Sequence, residues 1–563
     1  MFVNGAVTAV FISVRRAFLG VFLCGICLAQ SAVAPSQDSN FPTLTLRASS
    51  HLVLLDVVVT DKTGKPVPGL RVADFSVKED GKPQAVSFVN APTTAMAEPP
   101  PALPPGVYSN APAYRVSGTP LVIVLDAANT SYSDQLYART QMLAYLRGQY
   151  KPGQRVAIFT LTDKLSLLQD FTGDSAVLAA GLSKFSAQEP AFAKADSGSE
   201  PDLQGVRFSS REQYVALVSA LERFQKSQSQ YTIDRRAEVT LDALRRINRI
   251  LGGLPGRKNV VWVTGGFPFM LDPGVSSSPA TELSDAFRHP GVQAVDPYTT
   301  GLSASQRSLY ADEIREIAAE LAGSQVAVYP VDARGLVASL RPASPDQLEA
   351  MREIARETGG KAFVNRNDIE SGVGLAEADG EAAYTIGYYP TNKKFDHQFR
   401  TVEVKLNRSG VEMTYRRGYF AEDTFSRSQE QLDRSLSEAW QDGAPDTMIT
   451  FEAKVNSPDN GKARVDFLVD ANTLSFAEEA GGRKLDVSFY VAACSGDNKL
   501  LAVKGARLAR VFPLQIHQQM VREGIRLHLD ADMAPGATQF RIAVRDNRTG
   551  YIGTLFALPS AQQ

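Results

Sequence analysis

Hydrophobic positions change their period along the chain, and the changes divide it. Between 44 and 90 they alternate. His51-Leu-Val-Leu-Leu-Asp-Val-Val-Val-Thr60 predicts a strong strand. Asp61–Gly69 carries turn residues, and Phe75–Phe88 predicts a hairpin around Asp80-Gly81. From 91 to 118 the periodicity stops. Seven prolines, including Pro99-Pro100-Pro101, favour extended polyproline segments over any packed element, so this stretch reads as a linker.

At 119 the pattern becomes alternating strands and helices. Leu121-Val-Ile-Val-Leu-Asp126 runs five apolar residues into an aspartate, the mark of a strand buried on both faces. Ser131 and Asp134 fit a capping box, with the helix continuing through Leu136, Leu143 and Leu146. Gln154–Leu161 predicts a second strand and Leu165–Phe171 its hairpin partner. A polar insertion covers roughly 186–210. Helices are expected at 211–226 and at Ala237–Leu251, where Leu241, Leu244, Ile247 and Leu251 share a face and Gly252-Gly253 stops the helix. Asn259–Thr264 is the next buried strand, and a second irregular insertion runs from about 267 to 304. The helix Leu309–Ala322, strand Gln325–Asp332, helix Pro345–Thr358 and short strand Lys361–Val364 follow. The expectation for 119–375 is an α/β domain: a doubly wound, mostly parallel sheet with one antiparallel hairpin.

Strands at Tyr384–Tyr389, Arg400–Asn407 and Val411–Tyr419 place residues 380–421 with the N-terminal β-module of 44–90. After a short helix at 427–440, strands at Ile449–Val455, Arg464–Asp470, Leu485–Ala492, Ile525–Leu529 and Phe540–Val544 predict an immunoglobulin-like β-sandwich over 445–560.

Open α/β sheets bind ligands at the carboxyl ends of their strands. The candidate binding edge is therefore Asp126, Asn129, Thr130 and Ser131, together with Asp332 at the end of another strand. A plainer reading has Asp126 and Asn129 capping the first helix and fixing its loop, and Asp332 pairing with Arg334.

Composition adds limits. A chain of 563 residues holds two to four domains, and 59 basic against 61 acidic residues give a net charge of −2. That balance offers no basic face for nucleic acid. Residues 1–34 read as an export signal: Arg15-Arg16 precede the apolar run Ala17–Ala29, too short for a comfortable membrane span. Arg15–Leu19 also fits a twin-arginine motif. Export would place the protein in the periplasm, cell envelope or medium, touching a membrane only through that segment if it stays uncleaved. Cys24 and Cys27 lie inside it, so the mature chain would keep Cys494 alone, without a disulfide. No serine-hydrolase, zinc-protease or phosphate-loop motif is present, and Gly253-Leu-Pro-Gly256-Arg257-Lys258 precedes a strand and reads as a turn. The five histidines are scattered, with Asp396-His397 in a loop.

Leu52–Asp61, Val67-Pro-Gly-Leu70 with Asp74-Phe75, Glu79-Asp-Gly-Lys-Pro-Gln84, Leu168-Gln-Asp-Phe171, Leu254–Val260, Thr264-Gly-Gly-Phe-Pro268, Tyr329–Gly335 and Arg417-Gly-Tyr-Phe420 together resemble the acidobacterial-type von Willebrand factor A-related family over roughly 44–421. The resemblance implies a von Willebrand A fold. Such domains often bind a divalent ion at the sheet edge, through an Asp and two hydroxyls of one loop, a Thr of a second and an Asp of a third. Asp126 and Thr130 match the first loop, with Thr240, or Glu238, nearest to the second. Ala128 and Gly265 stand where a hydroxyl and a carboxylate are expected, so the implied metal-ion-dependent adhesion site is degenerate. No cofactor is expected; Mg²⁺ or Ca²⁺ at Asp126, Thr130 and Thr240 is the alternative. The function implied is an exported, non-enzymatic protein-interaction or adhesion module with an unidentified protein or peptide partner and no small-molecule cofactor. The alternatives are a metal-dependent hydrolase at the same edge and a structural envelope protein.

Overall fold

The computed structural model describes residues 52–558 except 93–101, 113–118, 152–153, 189–209, 269–303, 335–344, 365, 367, 397, 422–428, 441–442 and 457–460. The expected export segment, most of both insertions and His397 lie outside the described residues.

The chain begins with β1 (Val53–Asp61), β2 (Phe75–Glu79), β3 (Lys82–Gln84) and β4 (Val86–Asn90). Asp80 and Gly81 turn β2 into β3 with φ angles of 47° and 76°, the left-handed backbone that these residue types were chosen for. Then comes β5 (Val107–Ser109). The α/β region follows as β6 (Leu121–Asp126), α1 (Tyr132–Gly148), β7 (Val156–Leu161), β8 (Leu165–Thr172), α2 (Ser175–Ser183), α3 (Arg211–Leu251), β9 (Lys258–Thr264), α4 (Ala304–Gly323), β10 (Val326–Asp332), α5 (Pro345–Thr358) and α6 (Ile369–Glu381). The strands β11 (Ala383–Tyr388), β12 (Phe399–Leu406), β13 (Val411–Tyr415) and β14 (Gly418–Phe420) and helix α7 (Gln429–Ala439) lead to the last region. It holds β15 (Phe451–Val455), β16 (Lys462–Val469), β17 (Ala477–Glu479), β18 (Gly482–Cys494), β19 (Leu500–Phe512), α8 (Leu514–Glu523), β20 (Ile525–Asp532), β21 (Gln539–Asp546) and β22 (Ile552–Ala557). The architecture is mixed α/β with several sheets.

The α/β sheet has the order β10-β9-β6-β7-β8. β10, β9, β6 and β7 run parallel, and β8 runs antiparallel to β7. Every residue of β6, β7, β9 and β10 is buried, because helices cover both faces. Val122 and Val124 pack with Leu244, Ile247, Ile317, Leu321, Met351 and Ile354 of α3, α4 and α5. Leu121, Ile123 and Leu125, on the opposite face, pack with Met142, Tyr145, Leu178, Leu182, Val373 and Ala376 of α1, α2 and α6. All four parallel strands therefore end at one edge.

Residues 53–90 and 383–420 build two sheets in common. β1 lies between β11 and β13, and β2 pairs with β12. Their core includes Leu55, Val57, Phe75, Val77, Tyr384, Ile386, Tyr388, Val402 and Val404. Within it Glu79 accepts hydrogen bonds from Tyr388 (2.9 Å), Tyr419 (2.8 Å) and Arg400 (3.3 Å).

Three expectations need correction. Helices at 211–226 and 237–251 are one helix of 41 residues, since no glycine or proline interrupts 211–251. Lys361–Val364 is no strand of its own; Phe363 makes a single parallel bridge to Val331. The linker of 91–118 is not wholly unpacked. Val107–Ser109 forms β5 and pairs with β15, completing the sheet β20-β16-β15-β5. Asn110, fully buried, holds it there: its amide donates to the carbonyls of Asp446 (2.9 Å) and Ile449 (2.8 Å) and accepts from Phe451 N (2.8 Å).

The facing sheet, β17-β18-β21-β22 with β19 on the other side of β18, shares one core with it around Phe451, Phe467, Phe489 and Phe540. Residues 446–448 join this region to the α/β unit. Thr447 N donates to Arg249 O (3.0 Å) and Thr447 Oγ1 to Ile250 O (2.8 Å), at the end of α3. A side chain on Gly253 would collide with the Thr447 carbonyl, so the glycine pair both ends the helix and admits this segment. Among the described residues no helix is long and apolar enough to cross a membrane.

Candidate functional site

The edge is built around the end of β6. Ala127 and Ala128 are small and buried, and Ala128 N donates to Leu161 O at 2.9 Å, folding the loop against the end of β7. Asp126 is 2 % exposed, and its carboxylate is fully engaged. Asn129 N donates to Oδ1 at 3.0 Å, Asn129 Nδ2 reaches Oδ1 at 3.1 Å and Oδ2 at 2.9 Å, and Trp262 Nε1 of β9 donates to Oδ2 at 3.0 Å. Burial pushes the Asp126 carboxyl above the usual range, while hydrogen bonds from Trp262, Asn129 and Thr264 act against that shift.

Asn129 is the hub. Besides Asp126, its Nδ2 donates to Thr240 Oγ1 of α3 at 2.9 Å, and its Oδ1 accepts from Arg236 Nε at 3.0 Å. The Thr240 hydroxyl in turn donates a hydrogen bond to Arg236 O at 2.8 Å. Thr130, 2 % exposed, accepts the Gly265 N–H at 2.8 Å. A Cβ on Gly265 would stand 2.6 Å from Asn129 O and 3.2 Å from Thr130 Cα. The loops after β6 and β9 and the face of α3 are thus locked together.

Ser131 caps α1: its Oγ accepts from Asp134 N at 3.3 Å and donates to Asp134 Oδ2 at 2.7 Å. Asp126 and Asn129 fix the loop, as the plainer reading has it, but Ser131 alone makes the cap. Asp134 is 5 % exposed, with Oδ1 unbonded; burial raises its carboxyl, the Ser131 bond and Arg334 lower it, and Asp332 raises it. Asp332 is gripped by Arg334, through Nε to Oδ1 at 2.9 Å and Nη2 to Oδ2 at 3.2 Å. Such a two-pronged pair leaves little of the carboxylate for other chemistry. Ala333 N donates to Thr264 O at 2.9 Å, which ties the ends of β10 and β9.

Asp126, Asn129, Thr130 and Thr240 therefore meet, Ser131 follows one step on, and Asp332 lies beside Asp134. Glu238 does not join them; it is exposed and pairs with Arg235 at 3.1 Å. Trp262, Arg236 and Thr264 are participants that the sequence reading missed. Two signals were available: a tryptophan inside a buried strand needs an acceptor for its N–H, and Arg236 precedes Thr240 by one helical turn.

The residues present do not fit a hard divalent ion. Such an ion takes about six oxygen ligands, several of them charged. Here Asp126, Thr130 and Thr240 bring a single carboxylate, both of its oxygens are occupied by N–H donors, and the amide nitrogen of Asn129 stands between Asp126 and Thr240. Among the described residues no three His, Cys, Asp or Glu side chains gather to hold a metal.

No protein-family model matches the sequence. No curated protein matches it either. Solved structures similar to part of the chain include an aerotolerance-related membrane protein from Bacteroides fragilis carrying multiple mutations to serine, at 13% identity and a TM-score of 0.23, covering 47% of this chain and 100% of that one. The conserved hypothetical protein BatB from Bacteroides thetaiotaomicron is 11% identical, with a TM-score of 0.24, over 47% of this chain and 98% of its own. The von Willebrand factor domain of the type V pilus tip protein Mfa5 from Porphyromonas gingivalis is 11% identical, with a TM-score of 0.25, over 46% of this chain and 94% of its own. At such values these likenesses carry no argument about activity.

Proposed function

We propose that the protein is an exported, non-enzymatic interaction module of the von Willebrand A type, with a degenerate metal site, that contacts a protein or peptide at the carboxyl edge of its α/β sheet. The order β8-β7-β6-β9-β10, with edge strand β8 reversed and helices on both faces, supports the fold reading. The observation that carries the functional reading is the surface beside the lock. Tyr132 and Leu136 stand four residues apart on one side of α1, 43% and 40% exposed, next to exposed Ser131 and Ser133. A large aromatic and a leucine on a rigid, capped helix are suited to a contact surface. The carboxylates that a hydrolase would use at this edge are tied up, Asp126 by N–H donors and Asp332 by Arg334. The flanking β regions, the last read as an immunoglobulin-like sandwich, act as spacers.

The test is affinity capture from native envelope fractions with the whole protein and with Tyr132→Ala and Leu136→Ala. The reading expects a captured partner that both variants lose while their unfolding midpoints stay unchanged. Capture by the variants equal to that by the wild type would remove the edge from consideration.

A further inference from the structure

We propose that Asn129 and Arg236 do internally the work of a cation, making this edge a preorganised, metal-independent surface. Three requirements meet at one place. The buried Asp126 carboxylate needs positive potential, the loops after β6 and β9 need a common anchor, and α3 must be held against both. An ion between Asp126 and hydroxyl ligands would satisfy all three. The Asn129 amide satisfies them instead. Its Nδ2 faces both oxygens of Asp126 and the Thr240 hydroxyl, all within 3.1 Å. Its Oδ1 receives the guanidinium N–H of Arg236 at 3.0 Å. The amide is therefore polarised from both ends, oxygen toward a cation and nitrogen toward an anion, and carries the influence of Arg236 to Asp126. Asparagine suits the position because it offers a donor and an acceptor on one short, flat group. An aspartate there would turn an acceptor toward Asp126, and a serine could not span to Thr240 and Arg236 together.

Gly265 completes the exclusion. The third-loop position stands against the Asn129 carbonyl, with no room for a side chain that could ligate an ion. Arg236 and Asn129 are thus positioning residues, and both belong to this chain, so the surface is set without any added ligand.

The inference concerns the isolated protein and does not need the partner, so it and the interaction reading fail separately. The experiment is Mn²⁺ titration of the purified full chain by electron paramagnetic resonance, with thermal unfolding in EDTA and in excess Mg²⁺. Wild type should bind no stoichiometric Mn²⁺ and show the same midpoint in both buffers, within about 1 °C, since an ion bound only by the folded state would raise it. Arg236→Met should lower the midpoint equally in EDTA and Mg²⁺. Asn129→Asp should lower it in EDTA, acquire a Mn²⁺ site and recover stability with Mn²⁺. A stoichiometric Mn²⁺ site in wild type that Asp126→Asn abolishes would overturn the proposal. So would an Arg236→Met variant as stable as wild type. If Asn129→Asp does not fold, these two measurements still decide.

Discussion

The Thr130 hydroxyl accepts the backbone N–H of Gly265 at 2.8 Å, so two loops that end neighbouring strands are joined by one short side chain. The closeness leaves no space at 265: a Cβ would meet Asn129 O at 2.6 Å. Gly265→Asp should therefore destabilise the protein rather than create a ligand. Overpacking and loss of the Thr130 bond are together worth about 1–3 kcal/mol. The urea midpoint reads the loss, and adding Mg²⁺ should not reverse it.

Glu79 and Arg400 form an ion pair at 3.3 Å with both side chains 2% exposed. Removing one partner of a buried pair leaves the other charge without compensation and costs about 3–5 kcal/mol. Arg400→Met should approach that cost. Glu79→Gln, which keeps a hydrogen-bonding group toward Tyr388 and Tyr419, should cost less. Equal effects of the two substitutions in denaturant titration would show that the uncompensated charge, rather than the hydrogen bonds from Tyr388 and Tyr419, sets the cost.

Glu377 of α6 is 5% exposed and accepts the Tyr145 hydroxyl. Burial, with Glu381 adding, pushes its carboxyl from 4.5 up to about 8. The folded state thus holds a proton that the unfolded state releases above about 4.5. This contribution is fully present below that pH and is lost as pH rises through about 8. Stability measured across that window should fall with pH, and Glu377→Gln should flatten the fall. A wild-type curve unchanged by the substitution would remove Glu377 as its cause.

Gly253 lets Thr447 lie against the end of α3. Gly253→Val should expel that segment and loosen the hold of the α/β unit on the C-terminal sheets. Calorimetry should then show the unfolding transition split or broaden, with the C-terminal sheets melting as a separate unit. A single transition merely shifted in midpoint would mean that other contacts join the two regions.

Legibility from sequence follows how local the stabilising forces are. β6 and the cap at Ser131 are readable because a continuous apolar run and a serine three residues before an acidic side chain act within one turn of chain. β5 is not, because three residues in a proline-rich stretch become a strand only by pairing with β15, far along the chain. The middle of α3 is polar and carries no apolar stripe, so its continuity rests on the absence of a breaker rather than on a pattern. β19 carries no legible pattern because it pairs with β18 alone among the described residues and is largely exposed, so burial never imposes alternation on it. Asp126 and Thr130 are legible from strand position and loop chemistry. The hub role of Asn129 is not legible, since its partners Arg236 and Thr240 arrive from a helix about a hundred positions away.

The shared sheets also dictate when the protein can fold. Tyr384 donates its hydroxyl to the carbonyl of Val67 across 317 positions of sequence. A ribosome adding about 5–20 residues per second exposes β1 for tens of seconds before its partners β11 and β13 exist. The α/β unit, whose strands find neighbours nearer in sequence, can mature in that interval and bring the two halves of the first sandwich together. Its folding would then shorten the effective loop that β1 must close. A lesion in β6 or β9 is thus expected to surface first as aggregation of newly made chains through the unpaired β1.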